Sequence, residues 1–354
     1  MRISNKISKK VVTIGPTFRP VAGGIAQVME YYHDYVFDDF QFIANSCPGS
    51  KLTKAFCAVK AFAKLLNLLL VKDIEIAHIH TASKISFRRS VMFAKIGFLF
   101  KKKVIMHVHA GSFMDYYRTQ PDYVAKYLKR CSKVIALSPV WKEQFEKEIG
   151  LTNVEIINNI VPPPVLDKNL AKGSAGCVHA LFLGAIKKEK GIFDLVDMIA
   201  EHRDELQDEF VLHIGGNEQV DKLLQMIQVK HLESIVKFEG WVDQERKVAL
   251  MNQCQLLYLP SYIEGLPICI LEGMSYGMSI ISTKIGGIPS IVEHGKNGFL
   301  LTPGDRGELW AATNRMVFDK EKRTDFGKRS LEIINSFYPE NIIRQLVELY
   351  NNLL

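Results

Sequence analysis

The sequence predicts an α/β protein with two doubly wound domains, each built on a parallel sheet covered by helices. Two observations support this prediction. Short apolar runs typical of buried strands alternate with helical patterns in both halves of the chain. Between the halves, residues 161–176 (VPPPVLDKNLAKGSAG) interrupt the alternation with three prolines, glycines and charges, as an interdomain linker does. We therefore expect a first domain over residues 1–165 and a second over residues 166–337.

The first half contains four predicted strands with helices between them. The strands are VVTIG (11–15), IEIAHIH (74–80), KVIMHVH (103–109) and KVIALS (133–138), and the helices cover 52–70, 86–100 and 121–130. Gly23 and Gly24 follow the first strand, just before a helical pattern that begins at Ile25. Because glycine has no side chain, a ligand can approach the backbone closely at this loop.

The second half repeats the alternation. Its six predicted strands cover residues 178–184, 209–214, 235–238, 255–259, 278–282 and 298–301. The closing stretch FYPENIIRQLVELYNNLL predicts a helix that begins after Pro339. Ligands of doubly wound folds bind outside the carboxyl ends of the strands, so we expect site residues in the loops that follow them.

Composition limits the class of protein. The 354 residues are 47% apolar, enough for two full cores, and the six cysteines form no C-x-x-C pair. This cysteine usage favours a reducing compartment over a disulfide framework or a zinc site. The start of the chain has no apolar signal core, and Lys60 and Lys64 interrupt the run AFCAVKAFAKLLNLLLV. We therefore expect a cytoplasmic protein in which this run is an amphipathic helix rather than a membrane span.

The net charge of +7 is unevenly divided. Residues 1–165 hold 24 lysines and arginines against 12 acidic residues, whereas the remainder holds 21 against 26. The asymmetry indicates an anionic partner for the first half, and we expect peripheral docking on an anionic membrane rather than nucleic acid, for which no module is recognised. The alternative is a solvated basic face. The lysines expected to dock are Lys51, Lys54, Lys60, Lys64, Lys95, Lys101, Lys102 and Lys103.

Residues 258–277 (YLPSYIEGLPICILEGMSYG) place two glutamates eight positions apart around the start of a predicted helix. Pro267 suits the first helical position, and Gly277 suits the left-handed position after the last turn. The free amides at such a helix start bind anions. Glu264 lies just before that start and Glu272 about one and a half turns inside it. An anion site flanked by two hydroxyl-binding carboxylates indicates a nucleotide diphosphate sugar. The alternative is a capped surface helix with one solvent-facing acid, and the spacing of the glutamates alone favours that alternative.

The pattern E-G-L-P-x-x-x-L-E-G-M-x-x-G, followed by IISTKIGGIPSIVEHGKNGFLL, resembles the donor-site signature of glycosyltransferase family 4. Its members are retaining, nucleotide-sugar-dependent transferases with the two-domain fold called GT-B. The resemblance implies two Rossmann-like domains facing a central cleft, with the C-terminal helix, residues 338–354, packing back on the first domain. It implies sugar transfer from a nucleotide diphosphate sugar, UDP ahead of GDP, to a glycan or lipid-pyrophosphate-linked glycan in surface polysaccharide or lipopolysaccharide biosynthesis.

The resemblance also assigns roles to single residues. His109 and Glu264 would contact the transferred sugar, and Lys190, in FLGAIKKEKG (182–191), would neutralise the diphosphate. Glu272 would accept hydrogen bonds from the ribose. The other donor-binding positions lie in glycine loops and at the helix start: Gly24, Gly216, Gly265, Leu266, Ile268 and Cys269.

Two positions depart from the family pattern. Ala185 stands where the family has an arginine, and Ser290 stands where it has a glutamate. The loss of the arginine puts the second basic contact to the diphosphate in doubt, because no other residue replaces a bidentate guanidinium. Lys187 and Lys188 are the candidates to supply a cation there, and the alternative for both is a charged loop that faces water.

Several alternatives remain open at this stage. The H-x-H pairs His78/His80 and His107/His109 lie on predicted strands, where residues two apart share a face, so a zinc site is one interpretation. We favour hydrogen-bonded histidines and, since no D-x-D motif occurs, a metal-independent enzyme without a cofactor. The rival functions are a GT-B nucleotide-sugar epimerase and a non-catalytic binding subunit. We also expect the aromatic stretch 111–121 to form a loop beside the acceptor.

Overall fold

The computed structural model describes residues 2–21, 23–167 and 176–354. The chain forms two compact units, unit 1 (Met1–Pro162 with Ser336–Leu354) and unit 2 (Pro163–Asn335). The first boundary therefore lies close to the expected residue 165, and the chain re-enters unit 1 at Ser336 rather than at residue 338. Of the expected linker, residues 168–175 lie outside the described part of the chain.

Unit 1 is built on a six-stranded sheet in which every strand pairing is parallel. The strands are β1 (Val11–Pro16), β2 (Phe42–Ser46), β3 (Ile76–Thr81), β4 (Lys103–Val108), β5 (Lys133–Ala136) and β6 (Val154–Ile156). Their order in the sheet is β2-β1-β3-β4-β5-β6. The four predicted strands are confirmed as β1, β3, β4 and β5. The sequence did not reveal β2 and β6, because these short edge strands lack the long apolar run of a central strand.

Among the described residues, seven helices of unit 1 lie before its boundary. They are α1 (Asn5–Ser8), α2 (Gly24–Tyr31), α3 (Lys51–Val71), α4 (Ile85–Leu99), α5 (Phe113–Thr119), α6 (Pro121–Leu128) and α7 (Pro139–Lys147). A π-helical turn, Tyr32–Val36, continues α2. The core of the unit lies between β1, β3 and β4 and the helices α3 and α4.

The aromatic stretch 111–121 differs from the expectation. It forms α5 rather than a loop, and Phe113 and Tyr116 are buried in the core of unit 1. The Tyr117 hydroxyl donates to the Glu148 carbonyl at 2.9 Å. The prediction of tyrosines free for an acceptor is therefore wrong for Tyr116, since an aromatic ring in this position gains more from burial than from exposure.

Unit 2 carries a second six-stranded parallel sheet. Its strands are β7 (Val178–Leu183), β8 (Phe210–Gly215), β9 (Val236–Gly240), β10 (Leu256–Leu259), β11 (Ser279–Thr283) and β12 (Gly298–Leu301), in the order β12-β11-β10-β7-β8-β9. Its helices are α8 (Ile192–Glu201), α9 (Arg203–Leu206), α10 (Val220–Val229), α11 (Gln244–Gln253), α12 (Ile268–Ser275), α13 (Arg306–Phe318) and α14 (Lys320–Ile334). All six predicted strands are confirmed. Strands β10 and β11 are buried along their whole length, as expected where helices cover both faces of a parallel sheet.

The last helix, α15 (Pro339–Asn351), belongs to unit 1, which confirms the expected return of the C-terminal helix. Pro339 occupies its first turn, where a missing N–H leaves no bond unmade. Tyr350 is fully buried, and its hydroxyl lies 2.7 Å from His78 Nδ1 on β3. Within the described residues, the structure contains no helix with both the length and the hydropathy needed to cross a bilayer.

Candidate functional site

The candidate donor site lies at the carboxyl ends of β7 and β10, which are neighbours in the sheet of unit 2. From β7 the chain continues to β8 and β9 on one side, and then returns to build β10, β11 and β12 on the other. The loops that leave β7 and β10 therefore lie at the topological switch point of the sheet. Such switch points are the usual ligand sites of doubly wound sheets.

A tight turn after β7 brings Lys190 to the loop after β10. Residues Lys188–Lys190 form a 3-10 turn that ends at Gly191, whose φ is +67°. A Cβ atom at Gly191 would lie 2.0 Å from the Pro260 carbonyl oxygen, so only glycine permits this contact. The Tyr262 amide donates to the Glu189 carbonyl at 2.8 Å, which fixes the turn on the loop.

Lys190 and Glu264 form an ion pair at this switch point. The Ser261 hydroxyl donates to Glu264 Oε1 at 2.9 Å, and the Glu264 side chain is only 9% exposed. Burial by itself lowers the pKa of Lys190, but the charge and hydrogen bond of Glu264 outweigh it and hold that pKa above its ordinary value. Lys190 is therefore charged at neutral pH. The two residues to which the resemblance assigns the phosphate and the sugar are each other's ion-pair partner in the structure.

A second loop holds the Glu264 backbone in place. Gly286, with φ +52°, lies so close that a Cβ atom would be 2.0 Å from the Glu264 carbonyl oxygen. The Gly287 amide donates to the Gly265 carbonyl at 2.6 Å. Ser290 closes its own turn by donating to the Gly287 carbonyl at 2.6 Å. These glycines stabilise the loop that carries Glu264.

Helix α12 begins directly after this loop. Pro267 is extended (φ −73°, ψ 124°) and caps the helix, so the expected first helical position is one residue too early. The first main-chain bond of the helix runs from the Leu271 amide to the Pro267 carbonyl. The amides of Ile268 and Cys269 therefore precede the helical bonding pattern and lie at its positive end. Burial raises the pKa of the Cys269 thiol to about 12, with a further contribution from the Glu264 charge, so this thiol stays neutral.

Glu272 lies in the second turn of α12, 8% exposed, and pairs with Lys247 of α11. Lys247 Nζ is 2.7 Å from Glu272 Oε1, and both side chains are largely buried. Sequence reasoning missed Lys247, because DQERKVAL reads as an ordinary capped surface helix. Its position is set by the packing of α11, which no local pattern reveals.

The glycine pair after β8 is packed tightly against the loop after β7. A Cβ atom at Gly216 would lie 1.9 Å from the Gly184 carbonyl oxygen, and one at Gly215 would lie 2.5 Å from Val242. The Gly216 amide donates to the Gly240 carbonyl at 2.8 Å. These contacts leave no room for a side chain at Gly215 or Gly216, so packing alone requires glycine at both positions.

Ala185 stands where the resemblance implies an arginine, and no lysine of the same loop takes the place of that arginine. Ala185 is half-buried, and Lys187 Nζ lies 3.9 Å from Glu218 Oε1 at the rim. Lys188 is exposed. Neither lysine approaches the Lys190–Glu264 pair through a contact in the described residues, so the expectation that one of them replaces the arginine is not supported by their placement.

In unit 1, four histidines form two hydrogen-bonded pairs. His78 Nε2 lies 3.2 Å from His107 Nδ1, and His80 Nδ1 lies 2.9 Å from His109 Nε2. The first pair stacks on the second, with ring centroids 4.4 Å apart for His78–His80 and 4.2 Å apart for His107–His109. The array forms because β3 and β4 are neighbours in register, with His80 opposite His107. Asn159 forms a further side-chain hydrogen bond with His109.

Distances leave a metal site open at three of these histidines. His78, His80 and His107 each offer a nitrogen within 4.8 Å of the others. Both nitrogens of His78 already have partners, at the Tyr350 hydroxyl and at His107. His80 Nε2, in contrast, is buried without a hydrogen-bond partner among the described residues. The hydrogen bonds of His78 therefore compete with metal binding at that residue.

These histidines make the stability of unit 1 depend on pH. Burial lowers the pKa of His78 and of His109 to about 3, and burial also lowers the pKa of His80 and His107 well below 6.5. In the unfolded chain they take up protons below about pH 6.5, whereas the folded protein does not. The free energy of unfolding should therefore fall as pH decreases from about 6.5 toward 3, by up to about 1.4 kcal/mol per pH unit per histidine. Urea unfolding at several pH values measures this slope. His78→Phe should reduce the slope by the contribution of one histidine, which is up to about 1.4 kcal/mol per pH unit. An unchanged slope in that variant would contradict the assignment.

The glycine pair of unit 1 lies at the start of α2. Gly23 has φ +97°, and a Cβ atom at either Gly23 or Gly24 would meet no atom within 4 Å among the described residues. Open space beside a helix start agrees with a backbone that faces a ligand. Gly24 and His109 lie in unit 1, and the other eight predicted site residues lie in unit 2.

Comparisons with known proteins agree with this architecture. The family described as Glycosyl transferases group 1 matches residues 178–332, all within unit 2. An uncharacterized glycosyltransferase of Methanocaldococcus jannaschii is 24% identical over 358 aligned positions, covering 95% of this chain and 96% of that protein. The lipopolysaccharide 1,6-galactosyltransferase of Salmonella typhimurium is 30% identical over 202 positions, 53% of each protein.

Among solved structures, that of Anabaena HepE in complex with UDP and glucose has a TM-score of 0.74 at 19% identity, covering 97% of this chain and 99% of that one. At this identity the likeness establishes the fold, and it confirms the predicted pair of parallel-sheet domains. The sequence matches add the kind of activity. Together, the fold and the sequence matches support a glycosyltransferase with the GT-B fold.

Proposed function

We propose that this protein is a retaining glycosyltransferase of family 4 that takes a sugar from a nucleotide diphosphate sugar, a UDP-sugar ahead of a GDP-sugar. The observation that carries the proposal is the Lys190–Glu264 pair at the β7/β10 switch point, beside the free amides at the start of α12. A nucleotide diphosphate sugar carries a charged diphosphate and neutral hydroxyls. A cation and the amides of a helix start bind the diphosphate, and two carboxylates accept hydrogen bonds from the hydroxyls. The UDP and UDP-glucose complexes of HepE add support for the donor.

The charges of the pair support a mode of donor binding. Lys190 and Glu264 neutralise each other in their ion pair. A diphosphate placed at Lys190 and at the amides of Ile268 and Cys269 would receive positive charge from both. Glu264 would then turn from the lysine toward sugar hydroxyls, since it repels phosphate. As the bond to the sugar breaks, these fixed donors would stabilise the negative charge that develops on the departing diphosphate.

A thermal-shift screen of the full chain against UDP-, GDP- and ADP-sugars tests the donor proposal. A ligand that binds only the folded protein raises its melting temperature, so one nucleotide class should produce a shift. Transfer is then distinguished from epimerisation by product analysis with no acceptor present. Release of nucleotide with an altered sugar under those conditions would favour the epimerase, and the absence of any shift would contradict the donor site.

Glu272 is proposed to bind the ribose hydroxyls of the donor. Glu272→Ala should weaken binding of the free nucleotide diphosphate by about 1–3 kcal/mol, the range for hydrogen bonds to a charged group. Because the same change leaves Lys247 without its partner, Lys247→Ala is the matched variant. Equal losses from both variants would indicate that only the ion pair matters. Calorimetric titration with unchanged affinity in Glu272→Ala would remove this residue from the donor site.

We propose that sugar transfer needs no metal, because Lys190 and the α12 amides supply positive charge to the diphosphate. Transfer activity should therefore survive thorough chelation with EDTA. Loss of activity on chelation, restored by magnesium or manganese, would contradict this proposal. Restoration by zinc alone would instead favour the histidine array as a metal site.

The acceptor is proposed to be a glycan or a lipid-pyrophosphate-linked glycan of surface polysaccharide synthesis, with the enzyme on the cytoplasmic face of a membrane. The charge excess of the first half and the likeness to a lipopolysaccharide galactosyltransferase support this choice. His109, at the carboxyl end of β4, is proposed to hold the transferred sugar. Its pairing with His80 would fix the orientation of its ring.

A further inference from the structure

Helices α3 and α4 lie side by side on unit 1. The rings of Phe62 on α3 and Phe93 on α4 stack at 4.4 Å with an interplanar angle of 9°. We call the exposed side chains of these two helices the α3–α4 face. Helix α3 is 21 residues long and so extends about 30 Å along the surface.

The outer side of α3 is apolar. Five large side chains recur at helical spacing along it, and all five are exposed: Leu52 (83%), Phe56 (72%), Val59 (66%), Leu66 (39%) and Leu70 (71%). They lie opposite the side that packs in the core, which consists of Ala61, Leu65, Leu68 and Leu69. A helix that is apolar on both its inner and outer sides normally has a partner on each.

Helix α4 continues the same surface. Its exposed apolar residues, Ile85 (77%), Met92 (50%) and Leu99 (77%), are seven positions apart and lie on one line. Neither helix contains an aspartate or glutamate. The basic residues of the α3–α4 face are Lys54, Lys60, Arg88 and Lys95, and the sequence continues after α4 with Lys101, Lys102 and Lys103. Lys64 is also exposed, but its Nζ donates to the Phe42 carbonyl at 2.8 Å.

We propose that the α3–α4 face docks on an anionic lipid bilayer, with the outer apolar line of α3 inserted among the lipids. The proposal rests on the proposed function, because it names the surface that brings the transferase to a lipid-linked acceptor. An acid-free surface of apolar side chains flanked by lysines complements a bilayer with anionic headgroups. The lysine stems reach the headgroups while the apolar side chains enter the acyl region.

Charge argues against a second copy of the chain as the occupant. Two α3–α4 faces brought together would place only cations beside one another, and like charges at close range destabilise an interface. An anionic bilayer removes that repulsion. The insertion differs from the docking expected from Lys101, Lys102 and Lys103 alone, which salt would abolish.

The test is co-sedimentation of the full chain with vesicles of phosphatidylcholine, with or without phosphatidylglycerol, and without any nucleotide sugar. The wild-type protein should bind the anionic vesicles and keep part of that binding at high salt. The triple variant Leu52→Ser/Phe56→Ser/Leu70→Ser should bind about tenfold or more weakly, because each exposed apolar side chain contributes when buried in lipid. Its remaining binding should then be lost at high salt.

A matched control uses two exposed apolar residues of unit 2, Leu224 and Val229 on α10, which are 44% and 69% exposed. Leu224→Ser/Val229→Ser should bind vesicles as the wild type does. Unchanged vesicle binding by the α3 variant, or a wild-type dimer that this variant converts to a monomer, would overturn the proposal. Thermal shift with the nucleotide sugar, measured on the same variants without vesicles, separates this result from a failure of the donor site.

Discussion

Replacing Lys190 with alanine is expected to reduce sugar-transfer turnover by about 10²–10³-fold, the usual loss when one fixed donor to a developing oxyanion is removed. Lys190 is the one basic residue paired with Glu264 across the β7/β10 switch point among the described residues. Its removal also leaves the Glu264 carboxylate, 9% exposed, without a cation, and this should lower the free energy of unfolding by about 1–3 kcal/mol. Steady-state kinetics and urea unfolding measure the two effects.

Lys187→Ala is the matched control, because it removes a lysine from the same loop whose contact with Glu218, at 3.9 Å, lies at the surface. It should change stability by less than about 1 kcal/mol and leave turnover near that of the wild type. Glu264→Ala separates binding from transfer: nucleotide affinity should remain while turnover falls, since this side chain is proposed to meet the sugar. Full turnover in Lys190→Ala would remove this lysine from the site, and a large loss in Lys187→Ala would move the phosphate cation to that position.

Replacing Gly191 with alanine is expected to disrupt the donor site through the backbone alone. The left-handed conformation at φ +67° costs a residue with a side chain about 1–2 kcal/mol. The new Cβ atom would also lie 2.0 Å from the Pro260 carbonyl oxygen, so the turn that carries Lys190 must move away from β10. The loss of stability should therefore exceed the conformational cost, and nucleotide affinity should fall because the lysine is displaced.

Gly295→Ala isolates the conformational part of this effect. Gly295 has a similar φ of +78°, and a Cβ atom there would meet nothing within 4 Å among the described residues. This variant should lose only about 1–2 kcal/mol and keep its nucleotide affinity. Equal losses of stability in the two variants, with equal affinities, would contradict the role of the Gly191–Pro260 contact. Urea unfolding and calorimetric titration distinguish the outcomes.

The sequence by itself determined the class of fold and the loops that form the candidate site. Strand and helix periods alternate through both halves, because each element must bury one side against the same core. The start of α12 was readable from the pattern between Glu264 and Gly277 within one residue. These features depend on residues that are close to one another in the chain, so the local sequence pattern reveals them. The edge strands β2 and β6 were not predicted, because they are short and lack the long apolar run of a central strand.

Only the tertiary structure decided which charged and polar groups meet. Lys190 and Glu264 are 74 residues apart in the chain, and their contact follows from the position of β7 beside β10. Glu272 takes its partner from α11, and His109 takes His80 from β3 because β3 and β4 pair in register. Strand order and register are set by the packing of the whole sheet. A sequence pattern predicts that a charged residue is present, but the tertiary structure determines which residue it pairs with and therefore how far the pair stabilises it.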